Sequence, residues 1–372
     1  MRHLGIDARK LADYGIGSYL QGLLGELAHL DPPGGLSVLV SSEGRHLVPH
    51  VPESWRLVEV EAPGYSVREQ IAVPLAARRA GIEVLHVPHY VTPFLYPGRL
   101  VVTIHDIIHV LFPEFLPHAL GFAYARLLIR WAVRRARRVV TVSETTASDL
   151  RRLFGASGDR LRVIPNGVHD SFFSPADPAG EEARRTRLGV QPPYLLHVGN
   201  HKPHKNAESV LKAYHILFAQ DDDGLPPLVL AGGFECGGTL WARAQAMGLG
   251  DRVRCVGHVE QDDLVALYRG ATAFIYPTLY EGFGLPVLEA MASGVAVVAG
   301  DVAAVREVAG DVAVRVNPRD VVELAAAMRR ILDHPQLRAD LSQRGRRAAA
   351  RYRWRQAAEA TLAVYRAVQE EG

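Results

Sequence analysis

The residues best suited to chemistry are concentrated in the stretch 281–289, which reads E-G-F-G-L-P-V-L-E. An apolar run precedes it, Pro286 suits the first turn of a helix, and Gly294 marks the end of that helix. Glycine lets a backbone come close to a ligand, and a helix N-terminus offers unpaired N–H groups and the positive end of a dipole. The loop therefore predicts a diphosphate site. The residues assigned to it are Gly282, Phe283, Gly284 and Leu285.

Two carboxylates bracket this loop, Glu281 and Glu289. A carboxylate repels phosphate, whereas a vicinal diol offers it two O–H donors, and dinucleotide folds bind ribose hydroxyls through an acidic residue for this reason. The pair therefore favours a ligand that carries both phosphate and sugar. A helix-capping Glu281 and a solvated Glu289 are the alternative interpretation.

Lysine is scarce in this chain, because only four of the 42 basic residues are lysines. Two of them, Lys202 and Lys205, lie in the stretch 201–206, H-K-P-H-K-N. A lysine supplies a point charge of the kind that phosphate sites use. We therefore predict that these lysines neutralise the diphosphate, with a surface position as the alternative.

The composition is that of a globular protein, with 48% hydrophobic and 22% charged residues and a net charge of 42 − 40 = +2. This balance excludes a disordered tail protein and argues against bulk nucleic-acid binding. Cys236 and Cys255 are too few for a disulfide framework or a four-ligand zinc site and predict free thiols. The N-terminus has no secretory apolar region, and no apolar run reaches ~20 residues. We expect a cytoplasmic protein, soluble or peripheral on the inner face of the cytoplasmic membrane.

Strand-like and helix-like patterns alternate along most of the chain, which predicts parallel sheets covered on both faces. We expect two doubly wound α/β domains, 1–170 and 175–350, joined by a Pro- and Gly-rich connection at 166–193 and closed by helices at 321–351 and 354–369. Their ligand sites belong at the carboxyl ends of the strands. Strands are predicted at 83–87, 100–104, 138–142, 161–164, 194–198, 228–230, 253–256, 273–276 and 295–298. Further helices are predicted at 116–137, 207–220, 240–247, 261–269 and 286–293.

Several other sites are disfavoured. The chain has no phosphate loop of the G-x-x-x-x-G-K-[ST] type and no G-x-G-x-x-G after its first strand, which argues against a nucleotide hydrolase or a nicotinamide enzyme. The run 221–223, D-D-D, is typical of a solvated loop. His105, Asp106 and His109 lack the ligands that would complete a metal site. We therefore expect neither a metal nor another cofactor.

The stretch from 281 onward, E-G-F-G-L-P-x-L-E-A, resembles the E-x7-E signature of family 4 retaining glycosyltransferases, and the resemblance continues over most of the chain. Within that family, the motifs of this chain resemble those of the bacterial mannosyltransferase branch. The further matching motifs are G-I-G-S-Y at 15–19, T-I-H-D at 103–106, F-P-E at 112–114, T-V-S-E at 141–144, V-I-P-N-G-V at 163–168, V-G at 198–199, P-H-K-N at 203–206, V-G-H-V at 256–259 and E-V at 307–308.

The resemblance implies the GT-B fold, in which two Rossmann-like domains face across a cleft. The acceptor side would be 1–170, the nucleotide-sugar side 175–350, and the helix within 354–372 would cross back to the first domain. It also implies metal-independent transfer of a hexose with retention, most simply of mannose from GDP-mannose. The acceptor would be a glycan or a lipid-linked sugar.

The resemblance also assigns roles to residues. Glu281 would contact the sugar hydroxyls or support the anomeric centre, Glu289 would bind the ribose, and Lys205 would bind the diphosphate, with Lys202 as a second candidate. In the first domain, His105 would reach the donor sugar or polarise the acceptor. Asp106 would orient His105 or hold its loop on the acceptor side, and Gly17 would approach the donor phosphates.

Three positions depart from the family pattern: Asn200 stands where arginine or threonine is usual, His204 where arginine is usual, and Arg306 replaces a proline. Two other functions stay open, a nucleotide-sugar epimerase of the same fold and a non-catalytic nucleotide-sugar sensor. The mechanism is also open between front-face attack and double displacement through Glu281.

A basic stretch, Arg126–Arg138, carries six arginines among apolar residues. Such a segment can lie on an anionic membrane surface. The solvated face of a domain helix is the alternative interpretation.

Overall fold

The computed structural model describes residues 2–32, 34–64, 66–115, 119–220 and 224–371. The chain divides into two compact units, one formed by Met1–Gly167 with Tyr352–Gly372 and the other by Val168–Arg351. Both are parallel α/β units, so the predicted fold class of two Rossmann-like domains is confirmed.

The first unit is built on a seven-stranded parallel sheet with the order β3-β2-β1-β4-β5-β6-β7. Almost every residue of its central strands is buried, because helices cover both faces of the sheet. Its strands are β1 Leu4–Asp7, β2 Leu36–Val40, β3 Arg56–Glu59, β4 Val84–Val87, β5 Arg99–Ile104, β6 Arg138–Thr141 and β7 Leu161–Val163.

The helices of the first unit pack in two apolar clusters, one on each face of the sheet. Ser143 caps one of them through a hydrogen bond from Thr146 N to its hydroxyl (3.0 Å), and Gly155 ends the same helix in the left-handed conformation. The helices that precede the second unit are α1 Tyr14–Leu30, α2 Val67–Arg79, α3 Ile108–Leu111, α4 Ala119–Arg135 and α5 Glu144–Phe154.

The second unit contains a six-stranded parallel sheet with the order β10-β9-β8-β11-β12-β13, the arrangement of a dinucleotide-binding fold. Its strands are β8 Leu195–Gly199, β9 Leu228–Gly232, β10 Val253–Gly257, β11 Ala273–Tyr276, β12 Val297–Gly300 and β13 Val314–Val316. Its helices are α6 Pro178–Arg187, α7 Ala207–Gln220, α8 Thr239–Ala246, α9 Gln261–Gly270, α10 Leu285–Ala292, α11 Ala303–Ala309, α12 Val321–Asp333 and α13 Pro335–Ala349.

The last helix, α14 Trp354–Glu370, belongs to the first unit. Its apolar face, which includes Trp354, Ala358 and Tyr365, joins the core cluster formed by α1 and β1. Within the described residues, no helix is both long and apolar enough to cross a membrane.

Two sequence predictions of local structure were wrong. The stretch 166–193 is not a plain connection, because it contains α6, capped by Asp177 with Pro178 at its first turn. Arg187 of α6 binds the buried Asp263 of α9 at 2.6 Å, which holds α6 on the second unit. The single helix predicted at 321–351 is two helices, because Pro335 ends the first and begins the second. Four strands were not predicted: β1, β2, β3 and β13.

Candidate active site

The candidate site in the second unit lies at the carboxyl ends of β8 and β11, which are neighbours in the sheet. The chain order of the sheet reverses between these two strands, and such a switch point is where open α/β sheets bind ligands. The loop after β8 carries Lys205 and the loop after β11 carries Glu281, so the topology brings together residues 76 positions apart.

Asn206 fixes the loop after β8. It has a left-handed backbone conformation (φ 57°), which asparagine tolerates better than most residues. Its side-chain amide donates to the carbonyl oxygens of Pro277 (2.9 Å) and Pro318 (2.6 Å), and its own oxygen accepts from the Ser209 hydroxyl (2.7 Å). These bonds tie the lysine-bearing loop to the loops after β11 and β13.

Lys205, Glu281 and Tyr276 form a closed hydrogen-bonded cluster. The Lys205 ammonium donates to Glu281 Oε1 (2.8 Å) and to the Tyr276 hydroxyl (2.7 Å), and that hydroxyl donates to the same Oε1 (2.7 Å). An ammonium has three N–H donors, so one donor of Lys205 is left for a ligand. Since the lysine and glutamate side chains are only 16% and 11% exposed, the pair is held in a largely water-excluded position.

Glu281 is ionised in this setting. Burial by itself raises the pKa of the carboxyl, but the Lys205 charge, the hydrogen bonds from Lys205 and Tyr276, and nearby His204 together hold that pKa below its usual value. The Thr278 hydroxyl also lies 3.0 Å from Oε1. All of these contacts converge on Oε1, so Oε2 keeps its lone pairs for a ligand hydroxyl.

The glycine loop leads directly into α10. Gly284 occupies the N-cap position with φ 103°, a conformation that a side chain would strain, and open space lies where its Cβ would be. The helix begins at Leu285, one residue earlier than predicted, with Pro286 in its first turn. This end of α10 offers backbone donors and a positive dipole to an anion.

Glu289 lies in the second turn of α10 and contacts Tyr268 of α9. The Tyr268 hydroxyl lies 3.1 Å from Glu289 Oε2. Burial raises the pKa of Glu289 to about 7, although the bond from Tyr268 and the charge of Lys205 act in the opposite direction. This carboxyl therefore titrates near neutral pH, and a hydrogen-bond donor on a ligand would favour its anion.

The other predicted donor residues differ in their placement. Lys202 is exposed, and no ion pair is recorded for it in the described part of the chain. The His204 carbonyl accepts from Leu279 N (2.8 Å), which joins the two loops. The side-chain oxygen of Asn200 accepts a hydrogen bond from Lys202 N (3.1 Å), which closes a turn within the same loop. The structure thus brings Lys205 and Glu281 into contact and leaves Lys202 outside that cluster.

In the first unit, His105 follows the carboxyl end of β5. Burial lowers the pKa of its imidazole to about 4, so the ring is neutral at pH 7, and it bonds the backbone carbonyl of Pro88. Nε2 of the same ring is buried and has no partner within the described residues. Because a carbonyl can only accept, Nδ1 carries the proton and Nε2 is an unused acceptor for a hydroxyl.

A buried polar network supports His105. The Tyr19 ring packs edge-on against the His105 ring, with centroids 4.8 Å apart. The Tyr19 hydroxyl contacts Thr103 Oγ1 (3.1 Å), which contacts His86 Nε2 (2.7 Å), and His86 Nδ1 contacts the Tyr365 hydroxyl of α14 (2.6 Å). The last helix, α14, therefore contributes a hydroxyl group to the network that supports His105.

The remaining first-unit residues have structural contacts of their own. Gly17 lies in the first turn of α1, where a Cβ would be 2.3 Å from the Leu11 carbonyl oxygen, so packing within the unit already requires glycine. Asp106 accepts from Ile108 N (3.0 Å) and holds the loop after His105. His109 Nδ1 lies 2.8 Å from the Tyr90 hydroxyl.

No cluster of three histidine, cysteine, aspartate or glutamate side chains that could hold a metal exists within the described ranges. The acidic run 221–223 lies outside those ranges. Cys236 and Cys255 are free thiols, as predicted.

The sequence did not single out several residues of the site. They are Tyr276, Thr278 and Tyr268 in the second unit and Tyr19, His86 and Thr103 in the first. A tyrosine at a strand end or on an inner helix face is most simply interpreted as core, and all three tyrosines are indeed buried. Two signals were available, because Tyr19 ends the motif G-I-G-S-Y and Thr103 begins the motif T-I-H-D.

The chain is similar to known proteins over most of its length. Residues 180–348 match the family model described as Glycosyl transferases group 1, and residues 31–172 match Glycosyltransferase Family 4. The O-antigen chain mannosyltransferase B of Escherichia coli is 32% identical over 287 residues, which are 76% of this chain and 74% of that protein.

Solved structures show the same fold over the whole chain. Sucrose-phosphate synthase from Thermosynechococcus elongatus superposes with a TM-score of 0.81 at 20% identity and covers 99% of both chains. Anabaena Alr3699/HepE in complex with UDP and glucose has a TM-score of 0.76 at 18% identity, covering 99% of this chain and 100% of that one.

Proposed function

This chain belongs to family 4 of the glycosyltransferases and has their GT-B fold, and on that premise we propose that it moves a hexose from a nucleotide sugar to a glycan or lipid-linked acceptor with retention. The observation that carries the proposal is the Lys205–Glu281–Tyr276 cluster beside the N-terminus of α10. The cluster supports the proposal because it holds a cation and a carboxylate oxygen side by side, as the binding of a diphosphate joined to a sugar requires.

The second unit binds the donor in this proposal. The last N–H donor of Lys205 and the first backbone amides of α10 hold the diphosphate, while Glu281 Oε2 accepts from a sugar hydroxyl and Glu289 from the ribose diol. Because Glu281 partly neutralises Lys205, the amides around Gly284 supply a necessary share of the phosphate binding. Lys202 is a peripheral phosphate contact.

Transfer follows as a front-face displacement. The bond from C1 of the sugar to the leaving phosphate oxygen breaks while the acceptor oxygen bonds to C1 from the same side. The acceptor proton passes to the departing phosphate oxygen. Lys205 stabilises the charge that develops on the leaving group, and the ionised Glu281 stabilises the positive character at C1. No metal ion is needed, since Lys205 and the helix dipole act at the diphosphate.

The first unit contributes His105. Its neutral ring offers Nε2 as an acceptor for a sugar hydroxyl, and Asp106 and the Tyr19 network hold its position. Gly17 permits the tight packing of the α1 N-terminus within the first unit.

GDP-mannose is the preferred donor, because the relative that covers three quarters of the chain is named a mannosyltransferase. UDP-glucose is the second candidate, since a structure of the same fold holds UDP and glucose. Calorimetric titration with both nucleotide sugars, followed by mass spectrometry of products formed on mannosylated glycan acceptors, tests the choice. A new hexose on the acceptor supports transfer, turnover of donor without acceptor would identify an epimerase, and binding without turnover would identify a sensor.

A further inference from the structure

A cavity of about 610 Å³ lies at the amino edge of the first unit's sheet, opposite the edge that carries His105. Glu83 immediately precedes β4, Arg99 begins β5, and Arg137 immediately precedes β6. Five arginines line this cavity against one carboxylate, and no ion pair to a carboxylate is recorded for any of the five among the described residues. They are Arg2, Arg78, Arg99, Arg135 and Arg137.

The arginines are partly held in place. Arg99 donates to the Val368 carbonyl (2.5 Å), and Arg2 donates to that of Gln369, both near the end of α14. Arg135 donates to the Gly98 carbonyl (2.8 Å). Each guanidinium has five N–H donors, so these bonds orient the groups and leave donors for an anion. Arg78 and Arg137 are exposed at the rim.

An exposed apolar band leads to this cavity along α2 and α4. On α2, Val67, Ile71 and Leu75 share one face and are followed by Arg78. On α4, Tyr124, Leu127 and Trp131 share one face and are followed by Arg135. Val67 is 81% and Leu127 is 61% exposed, which is unusual for residues of this size on a folded unit.

The loop before the cavity joins the two helices into one surface. Phe94 packs on the Trp131 ring of α4 with centroids 5.1 Å apart, and its backbone N–H bonds Gln70 of α2 (2.7 Å). Leu95 beside it is 66% exposed. Both helices also pack on the same core cluster, so the band lies on one side of the unit.

The charge of this side matches an anionic bilayer. The α4 segment contains no carboxylate, and Arg126, Arg130 and Arg134 are exposed on it. The single carboxylate of α2, Glu69, is buried in an ion pair with Arg9 at 2.7 Å. Apolar side chains inserted among lipid tails, with arginines at the headgroup level, are the arrangement of interfacial helices.

We propose that α2, the Phe94–Leu95 loop and α4 form a surface that docks on a membrane rich in anionic phospholipid, with a lipid phosphate bound in the arginine cavity. Because it includes the arginine cavity, this surface is larger than the basic stretch Arg126–Arg138 alone. Docking here is independent of the donor chemistry above, because the surface lies in the first unit, at the sheet edge opposite His105, whereas the proposed donor residues belong to the second unit.

Co-sedimentation of the full chain with vesicles tests the proposal. The protein should bind vesicles of equimolar phosphatidylcholine and phosphatidylglycerol and not vesicles of phosphatidylcholine alone. The double variant Arg78→Gln/Arg137→Gln should lower the apparent affinity roughly tenfold or more, since each surface cation contributes measurably. The control Arg152→Gln/Arg162→Gln removes the same charge from exposed positions elsewhere and should bind like the wild type.

A second set of variants tests the contribution of the exposed apolar side chains to vesicle binding. Leu95→Gln/Leu127→Gln should also lower vesicle affinity roughly tenfold. Val322→Gln, at a position 68% exposed in the second unit, is the control and should change nothing. Melting curves establish that each variant is folded, and donor turnover on a soluble acceptor should be unchanged in all of them.

Inorganic pyrophosphate distinguishes a lipid from a soluble anion. With the proposed diphosphate site of the second unit saturated by a nucleotide sugar, we expect weak residual pyrophosphate binding that is lost in Arg78→Gln/Arg137→Gln. Tight pyrophosphate binding at these arginines without vesicle binding would assign the cavity to a soluble anion and overturn the proposal. So would vesicle binding that does not depend on phosphatidylglycerol, or that both double variants retain.

Discussion

Lys205 and Glu281 form a largely buried ion pair in which the ammonium Nζ lies 2.8 Å from the carboxylate Oε1. The pair links the loop after β8 to the loop after β11 before any donor is bound. Each partner therefore sets the position and the charge of the other, and on the proposed function substitution of either one should affect the binding of both the diphosphate and the sugar.

Lys205→Ala should reduce kcat/KM at least ~100-fold, because the leaving group loses a fixed cation and Glu281 is left buried without its counterion. Steady-state kinetics with the preferred donor measures this. Lys212→Ala is the control, since Lys212 is an exposed lysine paired with Glu208 on α7. If Lys202→Ala were the more damaging change, the diphosphate would be assigned to the wrong lysine.

Tyr276→Phe should lower kcat/KM by roughly 10- to 100-fold. The variant keeps the ring but removes one hydrogen bond to the ionised Glu281, and bonds to charged groups contribute about 1.5–3 kcal/mol. Tyr194→Phe is the matched control, because Tyr194 is as deeply buried as Tyr276 and its hydroxyl donates to a backbone carbonyl, that of Leu267 (2.5 Å). Equal activities of the two variants would remove Tyr276 from the site.

Nucleotide-sugar affinity should rise with pH between 6 and 8. The raised pKa of Glu289, about 7, means that the carboxyl is largely protonated below neutral pH, whereas the ribose diol binds the anion best. Below that pKa, binding must release a proton, so affinity should fall by up to ~10-fold per pH unit. The ligand in this measurement should be a nucleotide sugar and not a free nucleoside diphosphate. The terminal phosphate of a free diphosphate takes up a proton at about pH 6, which would obscure the pH dependence caused by Glu289. A Glu289→Gln variant with the same pH profile would contradict the ribose assignment.

Activity should persist in EDTA, because Lys205 and the N-terminus of α10 act where a metal would otherwise neutralise the diphosphate. Assays after dialysis against EDTA, with and without added Mn²⁺ or Mg²⁺, measure this. Loss of turnover that either ion restores would show that a metal site exists, with the acidic run 221–223 as the first place to look.

The sequence predicted the fold class and the conformation of the glycine loop before α10, because both depend on local patterns. Glycine and proline at the start of α10 have a direct conformational cause, and strand–helix alternation predicts parallel sheets. The Lys205–Glu281 contact could not be predicted from spacing, since it depends on which strands are neighbours in the sheet.

Other features could not be predicted from the sequence, because they also depend on which elements are neighbours in the fold. Tyr276 and Tyr268 resemble core residues until their hydroxyls are seen on Glu281 and Glu289. The arginine cavity draws on the starts of several strands and the ends of two helices, which no linear motif records. The helix α6 was missed because its prolines and charges resemble a linker, although Asp177 and Pro178 are a helix-start signal.

Glu281→Gln tests the central claim most directly, because glutamine keeps the size and one acceptor oxygen but has neither a charge nor a nucleophile. If Glu281 orients a hydroxyl and stabilises the anomeric centre during front-face transfer, a residual rate of ~0.1–5% should remain, as loss of a charged hydrogen bond implies. Product should still form with retention, and no sugar should be attached to the wild-type enzyme after incubation with a slow fluorinated donor. A hexose covalently bound to Glu281 in the mass spectrum, together with complete loss of activity in Glu281→Gln, would contradict the account.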